Sequence, residues 1–252
     1  MTLAKTEAIV LKTAGYGEDH RIVNCFTLNF GKLKFAVKGV HSKKNRFGAS
    51  LEPMMLSRMV FYDHPAREIL MLSQADIINA FPLLRKDIKL MSWGLYMVEL
   101  TDELTAERDR SEDVFFLLKN TFANLSPESE WKMLIKYFEL KFFKICGYEL
   151  QLANCVECRG PIISKNTYCA DINKGGILCE KCQKNISFMS INISGETLKI
   201  LELFSSISID KVNRLIVSER AFEELEGLMD LYRKKYLSRE LKSLDFIRNI
   251  NI

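Results

Sequence analysis

Four of the seven cysteines in this 252-residue chain fall in two matched pairs, Cys155-Val-Glu-Cys158 and Cys179-Glu-Lys-Cys182, separated by twenty residues. Two thiolates on one tight turn can reach adjacent corners of a tetrahedron about 2.3 Å from a zinc ion, and a second such turn supplies the other corners. Gly160, Gly175 and Gly176, lying between the pairs, suit the sharp backbone this needs. The spacing therefore predicts structural zinc on Cys155, Cys158, Cys179 and Cys182, with Cys169, between the pairs, as an alternative ligand. A four-thiolate site leaves no position for water, so the metal organises the chain rather than reacting. Cys25 and Cys146 sit in apolar strand and helix patterns and read as core. An odd cysteine count in a chain this long argues for reduced thiols in a reducing compartment, not a secreted disulfide framework.

A second grouping is electrostatic. The net charge is only +4. Yet the interval between Asp19 and Glu52 has no acidic residue and carries Arg21, Lys32, Lys34, Lys38, Lys43, Lys44 and Arg46, which leaves the rest of the chain net acidic. In Lys32-Leu-Lys-Phe-Ala-Val-Lys38 the alternation of a strand puts the three lysines on one face and Leu33, Phe35 and Val37 on the other, in two-residue steps of roughly 7 Å. Beside it runs a glycine-bounded basic loop, Gly39 to Gly48. Such a surface can follow a sugar–phosphate backbone in a salt-sensitive, largely sequence-independent way. Tyr16 and Phe47 are candidates to stack on bases. Lysines on a solvated strand face, guarding an edge, are the plainer alternative.

The elements that must position these residues divide in two. Five short strands, over Glu7–Thr13, Arg21–Phe30, Lys32–Lys38, Leu51–Phe61 and Arg67–Ile78, predict a small barrel in residues 1–80, with its binding face across the second and third strands as in OB-type barrels. From Phe81 onward apolar spacing turns helical over Met91–Glu107, Ser111–Leu125, Pro127–Gly147, Ser194–Ser206 and Ser218–Lys242. Ser126-Pro127 reads as a helix start. The expected architecture is thus α+β: an N-terminal OB-fold barrel, then an α-helical domain over 81–252 with a four-cysteine zinc element inserted at 152–186. Lys132 and Lys136 flank the apolar stripe of the Pro127–Gly147 helix and are candidate partner contacts. No phosphate loop, metalloprotease or nucleophile-elbow motif is present, and His20, His41 and His64 have no catalytic spacing, so the chain reads as a binding protein, not an enzyme. No stretch is apolar enough to span a membrane and no secretory leader is evident, which predicts a cytoplasmic protein.

The order of short motifs resembles the bacterial RecO DNA repair family. They are Gly15-Tyr-Gly-Glu-Asp19, Phe26-Thr27 leading to Gly31-Lys32, Lys38-Gly-Val40 with a basic loop ending at Phe47, Phe138-Glu-Leu140 running into Gly147-Tyr148, and the paired cysteines with Gly175-Gly176 before Cys179. The resemblance implies an OB-fold, a helical domain and a four-cysteine zinc element. It also implies binding to single- and double-stranded DNA, annealing of complementary strands, and partnership with RecR and with the acidic, apolar C-terminal tail of single-stranded DNA-binding protein. Together these help load recombinase at gaps, which places the protein on the nucleoid. An RNA-binding or transcription-associated OB/zinc-ribbon factor is the competing expectation.

Overall fold

The computed structural model describes residues 2–16, 20–38, 47–163 and 167–250. Strands β1 (Thr2–Tyr16), β2 (His20–Thr27), β3 (Gly31–Lys38), β4 (Leu56–Asp63) and β5 (Ile69–Asn79) form a closed barrel in the order β1-β2-β3-β5-β4. Neighbours pair antiparallel except β3 and β5, which run parallel where Lys34–Ala36 meets Ile69–Met71. This is the expected OB-type barrel. Closure depends on β1, whose residues Thr2–Ile9 pair with β4 and Ala8–Tyr16 with β2. Its register slips between Val10 and Lys12, and such a bulge bends a strand enough to serve two neighbours. The interior is filled by alternate residues, among them Val23, Cys25, Leu33, Phe35, Val37, Met59 and Phe61. Phe47 belongs to this core and is 5% exposed, so it is not the base-stacking residue the sequence suggested.

The β2–β3 turn fixes a further approach. Gly31 has φ +66°, and a Cβ there would lie 2.2 Å from the Asp109 carbonyl oxygen. Only glycine admits the segment that follows helix α1 (Ile88–Leu104) against this turn. That segment, Thr105–Arg110, hydrogen-bonds to the strand, with Arg108 N donating to Lys32 O at 2.9 Å.

Two compact units result. One comprises Met1–Pro127 and Leu241–Ile252; the other is Glu128–Glu240. The parting expected at residue 80 therefore does not coincide with these units: α1 packs on β1, and α1, α2 (Glu112–Asn124) and α7 (Lys242–Asn249) all belong with the barrel. Likewise the helix expected over Ser218–Lys242 ends early, as α6 (Glu219–Tyr236), and a separate helix, α7, begins at Lys242. Leu237 turns extended, and α7 starts afresh where Lys242 N and Ser243 N donate to the Glu99 carboxylate on α1.

The second unit holds α3 (Trp131–Ile145), the cysteine segment, a three-stranded sheet ordered β7-β6-β8, then α4 (Gly195–Ser206), α5 (Ile209–Val212) and α6. Helix α3 begins at Trp131, not at the Ser126-Pro127 signal. The strands β6 (Thr167–Asp171), β7 (Gly176–Leu178) and β8 (Ser190–Ser194) are too short for periodicity to register.

Candidate nucleic-acid interface and metal centre

Alternation along β1, β2 and β3 sets the outer face of the barrel. The register lays Tyr16, His20 and Lys38 in one row across the three strands, Ala14, Ile22 and Ala36 in the next, and Lys12, Asn24 and Lys34 in the third. The second row continues through Met71 to Tyr62 and Leu3, all three exposed. Tyr16 is 64% exposed, and Lys38 and Lys12 are exposed with no ion pair among the described residues. Sequence reading named Tyr16 but missed Tyr62, whose position beside Met71 follows only from the β4–β5 register.

The remaining predicted cations are differently placed. Lys32 is buried, its ammonium donating to the Asp102 carbonyl and lying 3.6 Å from the Asp102 carboxylate, so it is not available to a phosphate. Lys34 lies on the predicted face but is closed on by Glu68 at 2.7 Å and by Glu107. The hydrogen bonds its ammonium donates to Glu107 and Glu68 hold its pKa above the ordinary lysine value, and the contact with Lys34 holds Glu68 below the ordinary carboxylate value. Arg21 has the opposite parity on β2, pairing with Val37, and reaches Glu52 at 3.4 Å, away from the lysine face. Lys43, Lys44 and Arg46 lie outside the described residues. Alternation thus orients the β3 lysines as expected, whereas the counter-charges come from residues 68, 102 and 107, far off in sequence.

The two cysteine pairs converge. The sulfur atoms of Cys155, Cys158, Cys179 and Cys182 all lie within 4.8 Å of one another, with Cys158 Sγ and Cys179 Sγ 3.6 Å apart. A tetrahedron of thiolates about 2.3 Å from zinc has sulfur separations of about 3.8 Å, so the donors fit such an ion. Cys169 is not among them; it packs beneath, on β6 opposite Leu178. The scaffold is the β6–β7 hairpin. There the buried Asp171 carboxylate accepts from Ser187 N and Oγ, each at 2.9 Å, and from Lys174 N at 3.1 Å. At Gly176 a Cβ would come within 2.4 Å of Gln151 O, so glycine lets the strand leading to Cys179 meet the segment leading to Cys155. Burial opposes ionisation of Cys155, but main-chain N–H groups of Cys179, Cys158 and Glu157 donate to its sulfur and lower its pKa to about 6. Cys182 is pushed up to about 12, first by its hydrogen bond with Cys179 and then by burial. Four thiols this close cannot all ionise without a cation among them, and a divalent metal supplies that charge.

Of the two predicted partner contacts, only Lys132 is at the surface, its ammonium 5.7 Å from the Trp131 ring centre and 5.9 Å from that of Phe222. Lys136 is 1% exposed and is no rim residue. It is a member of a buried network, 2.7 Å from Glu139 and 2.6 Å from Glu226, with Arg233 on α6 bonding Glu139, Glu226 and Asp230. Helical spacing places it beside the apolar stripe but cannot reveal the carboxylates that α6 brings over it. A cleft nearby is lined by Leu140, Leu150, Leu201, Phe204 and Tyr232, with Lys141 and Lys144 at its edge.

An OB-type barrel carried with a four-thiolate helical module is an architecture compatible with nucleic-acid-associated proteins. The comparisons narrow this. The model described as Recombination protein O N terminal matches residues 1–81, and that described as Recombination protein O C terminal matches residues 85–245. The chain belongs to the Recombination protein O family, a family of DNA repair proteins. It is 30% identical over 247 residues to the DNA repair protein RecO of Syntrophus aciditrophicus, covering 98% of this chain and 95% of that one. It is 31% identical over 251 residues to the RecO of Thermoanaerobacter sp., covering 99% of each. Among the described residues, no helix is long and apolar enough to cross a membrane.

Proposed function

We propose that this chain is a non-enzymatic, DNA-binding and strand-annealing mediator of recombinational repair, acting on the nucleoid in the cytoplasm. In this reading it helps load recombinase onto single-stranded DNA coated by its binding protein. The observation that carries the reading is the in-register row Tyr16–His20–Lys38 at one end of the barrel's outer face, next to the apolar row that runs through Met71 and Tyr62 to Leu3. Exposed aromatic rings offer stacking surfaces to unpaired bases, and cations beside them meet the phosphates. The chemistry of annealing is electrostatic: a cationic surface lowers the repulsion between two polyanions while no bond is made or broken. Single- and double-stranded DNA share the phosphate contact, whereas only unpaired bases use the rings.

The zinc element is structural in this reading, with Cys155, Cys158, Cys179 and Cys182 as ligands. RecR and the acidic, apolar tail of single-stranded DNA-binding protein are the partners implied by family membership. The cleft lined by Lys141, with Lys144 paired to Glu149, or the aromatic pair beside Lys132, offers an apolar interior with a cation beside it for such a tail. Lys136, sealed in the interior, is dropped from the proposal.

The test is a titration of fluorescent single-stranded DNA at two salt concentrations with the Tyr16→Ala/Lys38→Gln variant. Loss of one stacked base is worth about 1–3 kcal/mol, so affinity should fall about tenfold, with a shallower salt slope. Unchanged affinity and slope would overturn the assignment of this face, and strong preference for RNA of equal length would favour a transcript-binding role.

A further inference from the structure

Lys34 occupies the centre of the face that alternation predicted to be cationic, yet two carboxylates arrive there from different parts of the chain. Glu68 comes from the β4–β5 loop and Glu107 from the segment after α1. That segment is held in place independently of the ion pair. Residues Lys32 and Glu107 form a parallel bridge, and Arg108 N donates to Lys32 O. The Arg108 guanidinium bonds Asp63 at 3.2 Å and His64 O at 3.2 Å, with Arg108 itself in the left-handed region at φ +58°. The close approach of Asp109 to Gly31 completes the seating. Glu107 is therefore delivered to Lys34 by main-chain geometry, and Glu68 adds a second negative charge to a single ammonium. Together with Asp102 on Lys32, this end of β3 carries three carboxylates against its two lysines, with Lys12, which has no ion pair among the described residues, in the same row two strands away on β1. The opposite end, four residues or about 13 Å along β3 at Lys38, carries a cation without a carboxylate partner among the described residues.

We propose that Glu68 and Glu107 act as an electrostatic stop that sets the edge of the DNA footprint, excluding phosphates from Lys34 and confining a strand to the Tyr16–His20–Lys38 end. This deepens the DNA-binding reading above and rests on it. A phosphate approaching Lys34 meets a local charge of −1 and must displace a carboxylate already bound. At Lys38 it meets a cation with no carboxylate partner among the described residues. The pair therefore decides where a strand lies on the barrel and how many phosphates it engages.

Two substitutions separate this from a plain cationic face. Lys34→Gln should leave single-stranded DNA affinity and salt slope within about twofold of the parent, because that lysine contacts no phosphate. Glu68→Gln/Glu107→Gln should free it. One added phosphate contact steepens the single-strand salt slope by about 0.7 and tightens binding about three- to tenfold at low salt. Adding Lys34→Gln to that pair should abolish the gain, which separates a local effect from a general change in net charge. Asp76→Asn/Glu112→Gln, at exposed acids of the same unit, controls for the latter. Thermal melting confirms that each variant is folded. A large loss from Lys34→Gln alone, or a gain that survives without Lys34 or is matched by the control pair, would overturn the stop. If the parent binds DNA and Tyr16→Ala/Lys38→Gln weakens it while the glutamate variants match the parent, the stop alone fails. If Tyr16→Ala/Lys38→Gln changes nothing, the face assignment has failed.

Discussion

Substituting Lys136 by Met tests whether the central lysine of α3 holds the second unit together or serves a partner. The side chain is 2% exposed and bridges Glu139, at 0%, to Glu226. Methionine keeps most of the volume and removes the charge, leaving Arg233 to face Glu139, Glu226 and Asp230. The Glu226 and Asp230 side chains are each 37% exposed and can turn toward water. Glu139 cannot, though it retains Arg233. Breaking a buried pair costs about 3–5 kcal/mol, and the retained guanidinium places this case near the lower end, about 3 kcal/mol. For a protein of this size that is about 6–12 °C in melting temperature. The dependence on pH carries a sign. Burial opposes the charge of Glu226, but Lys136 and Arg233 hold its carboxyl below the ordinary 4.5. A depressed folded-state pKa adds stability that is full above the unfolded value and disappears as pH falls through the folded one. The gap between parent and Met variant should therefore be widest near neutrality and narrow as pH falls below the ordinary carboxylate value of 4.5. Urea unfolding of the full chain at a series of pH values measures it. A loss under about 1 kcal/mol with no pH dependence, the size expected of a surface pair, would refute the buried-network reading.

Gly31→Ala should destabilise the first unit by at least about 2 kcal/mol, since it adds left-handed strain to a contact with Asp109 O that has no room for a methyl group; native-like melting would contradict the seating of Thr105–Arg110. Chain purified without chelator should carry about one equivalent of zinc by metal analysis, and Cys158→Ser or Cys179→Ser should lower both metal content and melting temperature. Less than half an equivalent, or preserved stability in both variants, would count against the metal centre.

Much of this was legible in the chain because its signals are local. The strict alternation of Lys32–Lys38 orients β3, and the two cysteine pairs, each contained in four residues, specify their own turns and converge as spaced. What failed was what depends on distant segments. Helical periodicity marks α3 as amphipathic but cannot show that residues of α6 lie over Lys136, so a lysine beside the apolar stripe reads as a partner contact although it is buried. The run from Ser218 to Lys242 keeps its helical composition through the break at Leu237, and the cap that starts α7 at Lys242 comes from Glu99, far off in sequence. β1 was expected over seven residues because Lys5 and Gly15 interrupt its apolar pattern; its full length is fixed by hydrogen bonds to two partners.

The basic window shows why a count of charges in sequence overstates the charge of a surface. Between Asp19 and Glu52 the chain has seven cations and no acid. Folding returns Glu52 to Arg21, Asp102 to Lys32, and Glu68 with Glu107 to Lys34, so three of the four described cations of the window have carboxylate partners. The more exposed pairs, on Arg21 and Lys34, contribute little to stability, about 0–1 kcal/mol, and their three carboxylates are poorly accounted for as stabilisers alone. Their effect on a polyanion is larger, because each paired lysine removes one phosphate contact from the salt-dependent binding energy. On the proposed DNA-binding face, the exposed pairs that hardly matter to the fold would therefore decide how tightly, and over which part of the barrel, a strand is held. Acidic residues well outside the basic window deserve to be substituted alongside the lysines whenever this face is mapped.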